Sequence, residues 1–293
     1  MTLSEIIKKM RPNISDSSIV TYNSILTNLY KKVFNTKDIE PRHFNDTKKI
    51  FEYLHNIPFN KRKTILSALY IITNNEKYKH MMLEDIKDYN NEVNKQTTND
   101  KQKQTWITTN DITPIFENLK NEYEYLINKK NLTKKDMQTI QEFIIVCLYG
   151  GMFIAPRRNL DYCLMKIKNI DTKKDNYIHK NSLVFNTYKS SASKGKQEIK
   201  LEPTLKSILT KWIKINPTDY LLFDINLNPL TSVKLNQRFN RIFGKNVGVN
   251  QLRHTYMSSK YGDTIELNKQ MEKDFNDMGS SIIQQKVYIK NND

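Results

Sequence analysis

The chain has 293 residues, of which 38% are hydrophobic and 10% aromatic, enough to build a real core and too apolar for wholesale disorder. Its formal charge is +16: residues 1–105 carry 18 basic and 12 acidic side chains, and residues 106–293 carry 29 and 19. A surplus spread over both halves, rather than gathered in a tail, suits a protein that wraps a polyanion. No apolar run reaches the roughly 18–20 residues of a membrane span. The opening MTLSEIIKKMRPN lacks the apolar stretch and small-residue cleavage site of a signal peptide. The expectation is a chain that is neither secreted nor partnered with a membrane. Cys147 and Cys163 both fall in apolar helical stretches and read as buried thiols rather than a disulfide.

In chain order, residues 19–34 place Ile19, Tyr22, Leu26, Leu29 and Val33 on one helical stripe, with Ser15 to Ser18 offering N-caps. Helical patterns follow near 47–56, 61–74 and 81–94, punctuated by residues such as Pro41 and Pro58. Residues 94–105, NKQTTNDKQKQT, hold no apolar side chain and read as an interdomain linker. Domains are therefore expected at 1–93 and 106–293, the first all-helical. Beyond the linker a helix is predicted around 110–128. The pair Thr133 and Asp136 reads as a capping box for a second, apolar helix that runs to Gly150 and Gly151, and a third helix should follow Pro156.

The only clear strands, Ser182 to Tyr188 and Gln197 to Leu201, flank the turn SSASKGK and read as a hairpin. Helices resume around 204–215, 231–243, 249–260, 264–277 and 281–289. The expected class is mainly α with a small β-hairpin or sheet, an α+β arrangement. Neither GxxxxGK[ST] nor GxGxxG occurs, so no nucleotide is expected, and the histidines and cysteines lack metal-ligand spacing. No cofactor is expected.

Four strings carry chemistry. Ala155 to Tyr162 reads APRRNLDY, with Arg158 three positions before Asp161 and Arg157 beside it. The hairpin holds Lys189 at the end of its first strand, and Lys194 and Lys196 in its turn. Residues 252–255 read Leu-Arg-His-Thr, and Asn250 stands three positions before Arg253. The last string, MGSSIIQQKVYIK, ends near Tyr288, which falls 35 residues after Arg253 and 130 after Arg158.

In this order the strings resemble those of the tyrosine recombinases, over roughly residues 106–293. The APRRNLDY form is closer to the integrases of viruses and eukaryotic mobile elements. The resemblance implies a helical core-binding domain followed by a catalytic domain, and a site-specific recombinase or integrase that cuts and rejoins DNA through a 3′-phosphotyrosyl intermediate. It implies Tyr288 as nucleophile, Arg158 and Arg253 as the phosphate clamp, and a hairpin lysine as general acid, with Lys189 the first choice. Arg157, Lys194 and Lys196 would then contact DNA, and His254 would be a packed, structural residue. Double-stranded DNA and a homo-tetramer assembled on it are the implied partners.

Two positions depart from the pattern. Asn250 stands where the family has histidine. Counting back nine from Tyr288 lands on Gly279, where the family has histidine or tryptophan, as though one residue were deleted. A type IB topoisomerase shares this chemistry and is the nearest alternative. A catalytically weakened DNA-binding protein of recombinase descent is another.

The chemistry fits the residue types. Paired arginines can hold the nonbridging oxygens of a phosphodiester bidentately. A phenol of pKa near 10 attacks as a nucleophile and leaves readily when the strand is resealed. A lysine protonates the departing 5′-oxygen. Neither ATP nor a metal is required.

Overall fold

The computed structural model describes residues 2–280. Over that range the protein is mainly α-helical with one three-stranded antiparallel sheet, the class expected from the sequence. It divides into two compact units, with the break between Thr98 and Asn99.

The first unit is helical throughout. Helix α1, Leu3–Met10, went unread in the sequence although Thr2 and Glu5 form a full capping box at its start. Helix α2, Asp16–Phe34, is capped by Ser15 and buries Leu26, Leu29 and Tyr30 from the predicted stripe and its flank. Helix α3, Thr47–Leu54, precedes α4, Phe59–Thr73, and α5, Glu76–Asn94. The last begins five residues before the predicted 81, because its polar first turn hides the Asn75 cap. Arg62 of α4 forks onto Asp85 of α5 through Nε at 2.9 Å and Nη2 at 2.6 Å, joining the two helices by a carboxylate only 1% exposed.

In the second unit, α6, Asp100–Thr105, precedes α7, Thr109–Leu126, and α8, Lys134–Tyr149. The Thr133 and Asp136 capping box is present, and Gly150 is the C-cap of α8. Every residue of α8 from Phe143 to Tyr149 is buried, which makes it the central helix of this core rather than a one-sided surface helix. A short helix, α9 (Asn159–Cys163), follows, then strands β1 (Tyr177–His179) and β2 (Ser182–Phe185), a one-turn helix α10 (Ser191–Lys194) and strand β3 (Gln197–Lys200). The sheet order is β1-β2-β3, and β1 was not foreseen. Helices α11 (Pro203–Ile215), α12 (Ser232–Phe243), α13 (Val249–Tyr261) and α14 (Thr264–Asp277) complete the described range. The helix expected over 281–289 lies outside it. Edge-to-face rings tie these elements together: Tyr149 of α8 meets Tyr162 of α9 and Phe239 of α12, and Tyr162 meets Phe185 of β2. Among the described residues no helix is long and apolar enough to cross a membrane.

Gly279 has a backbone task. Its φ is +69°, its N–H bonds the Asn276 carbonyl, and the Ser280 N–H reaches back to the Phe275 carbonyl at 2.8 Å. This pair of bonds is a Schellman ending, which favours glycine at the left-handed position. Gly279→His should therefore destabilise the last turn of α14 by roughly 1 kcal/mol, read as faster amide exchange there, with Gly279→Asn milder. A histidine inserted after Gly279 leaves the cap glycine in place and should spare that turn.

The two cysteines are free and buried. Burial pushes the Cys163 thiol up to about 12, and Cys147 higher still. Neither should react with a thiol-modifying reagent in the native protein, and both should titrate once it is unfolded.

Candidate active site

The segment that carries APRRNLDY begins where α8 stops. At Gly151 the backbone takes φ +84°, and a Cβ there would lie 2.8 Å from the Tyr256 ring of α13. Glycine thus lets the chain leaving α8 pass close against α13 and deliver Ala155 and Pro156 opposite that helix. Arg158 is the N-cap residue of α9, in extended backbone and exposed. Asp161 follows in the first turn and is only 4% exposed.

Asp161 feels the charge of three arginines, of which one is in contact. Burial pushes its carboxyl above the usual carboxylate range, while Arg157, then Arg158, then Arg253 pull it back down. Arg158 and Arg253 thus both lie within electrostatic reach of one buried carboxylate. The closest partner of Asp161 is not Arg158, the member of the Arg-x-x-Asp spacing, but Arg157, whose Nε donates to Oδ2 at 2.8 Å.

Helix α13 presents two faces. Gln251, Leu252 and Thr255 are buried, and the Thr255 hydroxyl donates to the Ile107 carbonyl. Asn250, Arg253, His254 and Met257 recur at i, i+3, i+4 and i+7, so they share the other face. With Ala155, Pro156 and Tyr256 they line a cleft of about 330 Å³. Asn250 and Arg253, paired by their sequence spacing, thus stand side by side. His254, expected to be packed, is exposed, because the helical period puts it one turn past Asn250 on the cleft face.

Of the hairpin lysines, Lys189 lies elsewhere than the strand pattern suggested, while Lys194 and Lys196 stay between the strands. Sheet pairing stops at Phe185, opposite Gln197, so Lys189 does not end a strand. The chain is drawn off the ladder by local side-chain bonds. Asn176 Oδ1 accepts the Thr187 N–H at 2.9 Å, and Asn186 Nδ2 donates to the Asp175 carbonyl at 2.8 Å. Lys189, Lys194 and Lys196 are all exposed on the loop that contains α10. None of the three side chains has a hydrogen bond or ion pair with another described residue.

Arg157 is turned inward instead of standing exposed, with 16% of its side chain accessible. Besides Asp161 it donates through Nη1 to Gln197 Oε1 at 2.9 Å. Its guanidinium carbon lies 3.9 Å from the centre of the Phe185 ring and 5.1 Å from that of Tyr188. The i, i+4 spacing of Arg157 and Asp161 is the one sequence signal that could have revealed this pairing. Tyr288 lies outside the described residues. Tyr256 lines the cleft, and its hydroxyl accepts from Lys260 Nζ at 3.4 Å.

No protein-family model matches the chain, and no curated protein matches it. Among solved structures the chain is similar to a XerA recombinase, at 14% identity over 88% of this chain and 82% of that one, with a TM-score of 0.35. It is similar to a lambda integrase dimer bound to a COC′ core site, at 15% identity over 89% and 84%, with a TM-score of 0.41. A XerH site-specific recombinase bound to difH substrate in a pre-cleavage complex gives 14% identity over 89% and 85%, with a TM-score of 0.36. These likenesses are too distant to assign an activity, which has to rest on the residues themselves.

Proposed function

We propose that this protein cuts and rejoins double-stranded DNA as a tyrosine recombinase of the integrase type. The observation that carries the reading is the cleft in which Ala155 and Pro156, just before Arg158, face Asn250 and Arg253 of α13, far apart in sequence. In this reading Arg158 and Arg253 together form a receptor for a phosphodiester, whose nonbridging oxygens take the fork of donors each arginine offers. Asn250, on the same face of α13 as Arg253, adds a neutral hydrogen bond to that phosphate.

In this reading Tyr288 gives up its phenolic proton and attacks phosphorus. A 3′-phosphotyrosyl bond forms, the bond from phosphorus to the 5′-oxygen breaks, and Lys189 protonates the departing oxygen. The reverse sequence, with a 5′-hydroxyl as nucleophile, reseals the strand. Lys194 and Lys196 contact the backbone beside the cut. The helical unit before residue 94 contributes further DNA contacts, and the working assembly is a homo-tetramer on DNA.

A second reading is favoured by two particular residues. Asn250 is a poor proton carrier, and Gly279 is committed to ending α14. A chain lacking both usual side chains is suited to DNA binding with weak or no catalysis.

A nicked suicide duplex, which loses its resealing end after cleavage, separates the two readings. Recombinase activity predicts a covalent protein–DNA adduct that Tyr288→Phe abolishes with DNA affinity unchanged. An adduct that survives Tyr288→Phe moves the chemistry to another residue, with Tyr256 in the cleft the first to test. Binding that falls steeply with salt, by about −0.9 in the log–log slope per phosphate neutralised, and no adduct at all would favour the second reading.

The general acid has its own signature. Replacing the bridging 5′-oxygen by sulfur gives a thiolate that leaves without protonation. Lys189→Ala should cleave ordinary DNA poorly and recover on the sulfur-bridged substrate. Lys194→Ala and Lys196→Ala should show mild, salt-sensitive binding losses on both. Recovery confined to Lys194→Ala or Lys196→Ala would reassign the acid.

A further inference from the structure

We propose that Arg157 is a positioning residue that pins the lysine-bearing loop between β2 and β3 to the segment carrying Arg158 and Asp161; this rests on the recombinase reading above only for its catalytic consequence. Arg157 sits at the last rung of the β2–β3 ladder. Phe185 is the final residue of β2 and the register partner of Gln197, the first of β3. The Arg157 guanidinium stacks on the first and donates to the second, while its Nε holds Asp161. One planar group thus joins α9 to both strands at the point where the chain leaves the sheet.

The pin continues into the loop through Tyr188. Its ring lies beside the same guanidinium, and its hydroxyl donates to the Gly195 carbonyl at 2.7 Å. That bond ties the two ends of the loop together. Lys189 adjoins Tyr188, and Lys194 and Lys196 flank Gly195, so all three lysines take their place from this tie. Among the described residues the other hydrogen bonds over residues 188–195 are local to the loop, and α10 is a single turn with no buried residue. A general acid must reach its leaving oxygen within hydrogen-bond distance, and a displacement of about 1 Å can cost on the order of 10²-fold in rate.

Lysine is no substitute at position 157. A single ammonium keeps the charge but lacks the plane that stacks on Phe185 and the fork that spans Asp161 and Gln197. The inward placement also separates this role from DNA binding, since Nε and Nη1 are engaged by Asp161 and Gln197 and the guanidinium lies against the Phe185 ring.

The test uses the full chain as wild type, Arg157→Met, Arg157→Lys and Tyr188→Phe. Each is measured for thermal melting, duplex affinity, amide exchange over residues 186–196, and single-turnover adduct formation on ordinary and 5′-sulfur-bridged suicide duplexes. Expected for Arg157→Met and Arg157→Lys are near-parental affinity, faster exchange in the loop but not in α8, and cleavage slowed on the order of 10²-fold on ordinary DNA. The sulfur substrate should recover most of that loss, since it needs no placed acid. Tyr188→Phe keeps the ring and removes only the Gly195 bond, so it should show a smaller version of the same pattern.

Loss of DNA affinity with unchanged loop exchange would make Arg157 a DNA ligand and overturn the proposal. Full activity of Arg157→Lys, or equal losses on both substrates with the loop still protected, would overturn it too. If Arg157 variants fail to fold, Tyr188→Phe decides through loop exchange. A wild type that forms no adduct on either substrate defeats the recombinase reading, and the exchange measurements still decide whether the pin exists.

Discussion

Taking a carboxylate out of water is costly unless positive charge and hydrogen bonds replace its hydration, and Asp161 is almost wholly buried. Three guanidinium groups supply that replacement, one in contact and two at longer range. The dependence is mutual. Removing one partner of a buried pair typically costs about 3–5 kcal/mol, because the other charge is left without compensation. Asp161 therefore serves the fold and the candidate site together: it fixes the start of α9 through Arg157, and its charge reaches Arg158 and Arg253.

The adjacent arginines divide the work by geometry. Arg158 has extended backbone, and successive side chains along extended chain point to opposite sides. Arg157 consequently faces the sheet and the aromatic layer of Phe185 and Tyr162, while Arg158 faces solvent. Two residues of one type have two different jobs because one stands just outside the helix and the other one step further out. Neither position can be exchanged for the other without turning the segment over.

Where side-chain period or capping chemistry decides the structure, the sequence was legible. The Thr133 and Asp136 box, the apolar run of α8 and the helix carrying Arg253 all stand where their patterns put them. Legibility failed where a distant or local polar group competes with the pattern. SLVFNTY has the look of a strand through Tyr188, yet Asn176 captures the Thr187 N–H and ends pairing at Phe185. His254 lies next to packed residues in sequence but one helical step around from them in space. Gly279, seen only as a missing side chain, is explained by the helix ending it makes possible. The role of Arg157 was hidden for a different reason, since Gln197 and Phe185 come from strands whose register no linear string displays.

The supports of the candidate groups differ in stiffness, and this difference locates the pin. Asn250, Arg253 and His254 ride on a helix whose opposite face is anchored by Gln251, Leu252 and Thr255. Arg158 is held by the start of α9 and by the charge of Asp161. Among the described candidate groups the lysines alone stand on an exposed loop, where ordering a long side chain costs conformational entropy that packing does not offset. A group that must meet a reacting atom from such a loop needs an external reference point. Arg157 supplies one where the last sheet pair, the start of the loop and the buried acid come within reach of one planar side chain, so the stiffness of the helical half of the site extends through it to the loop.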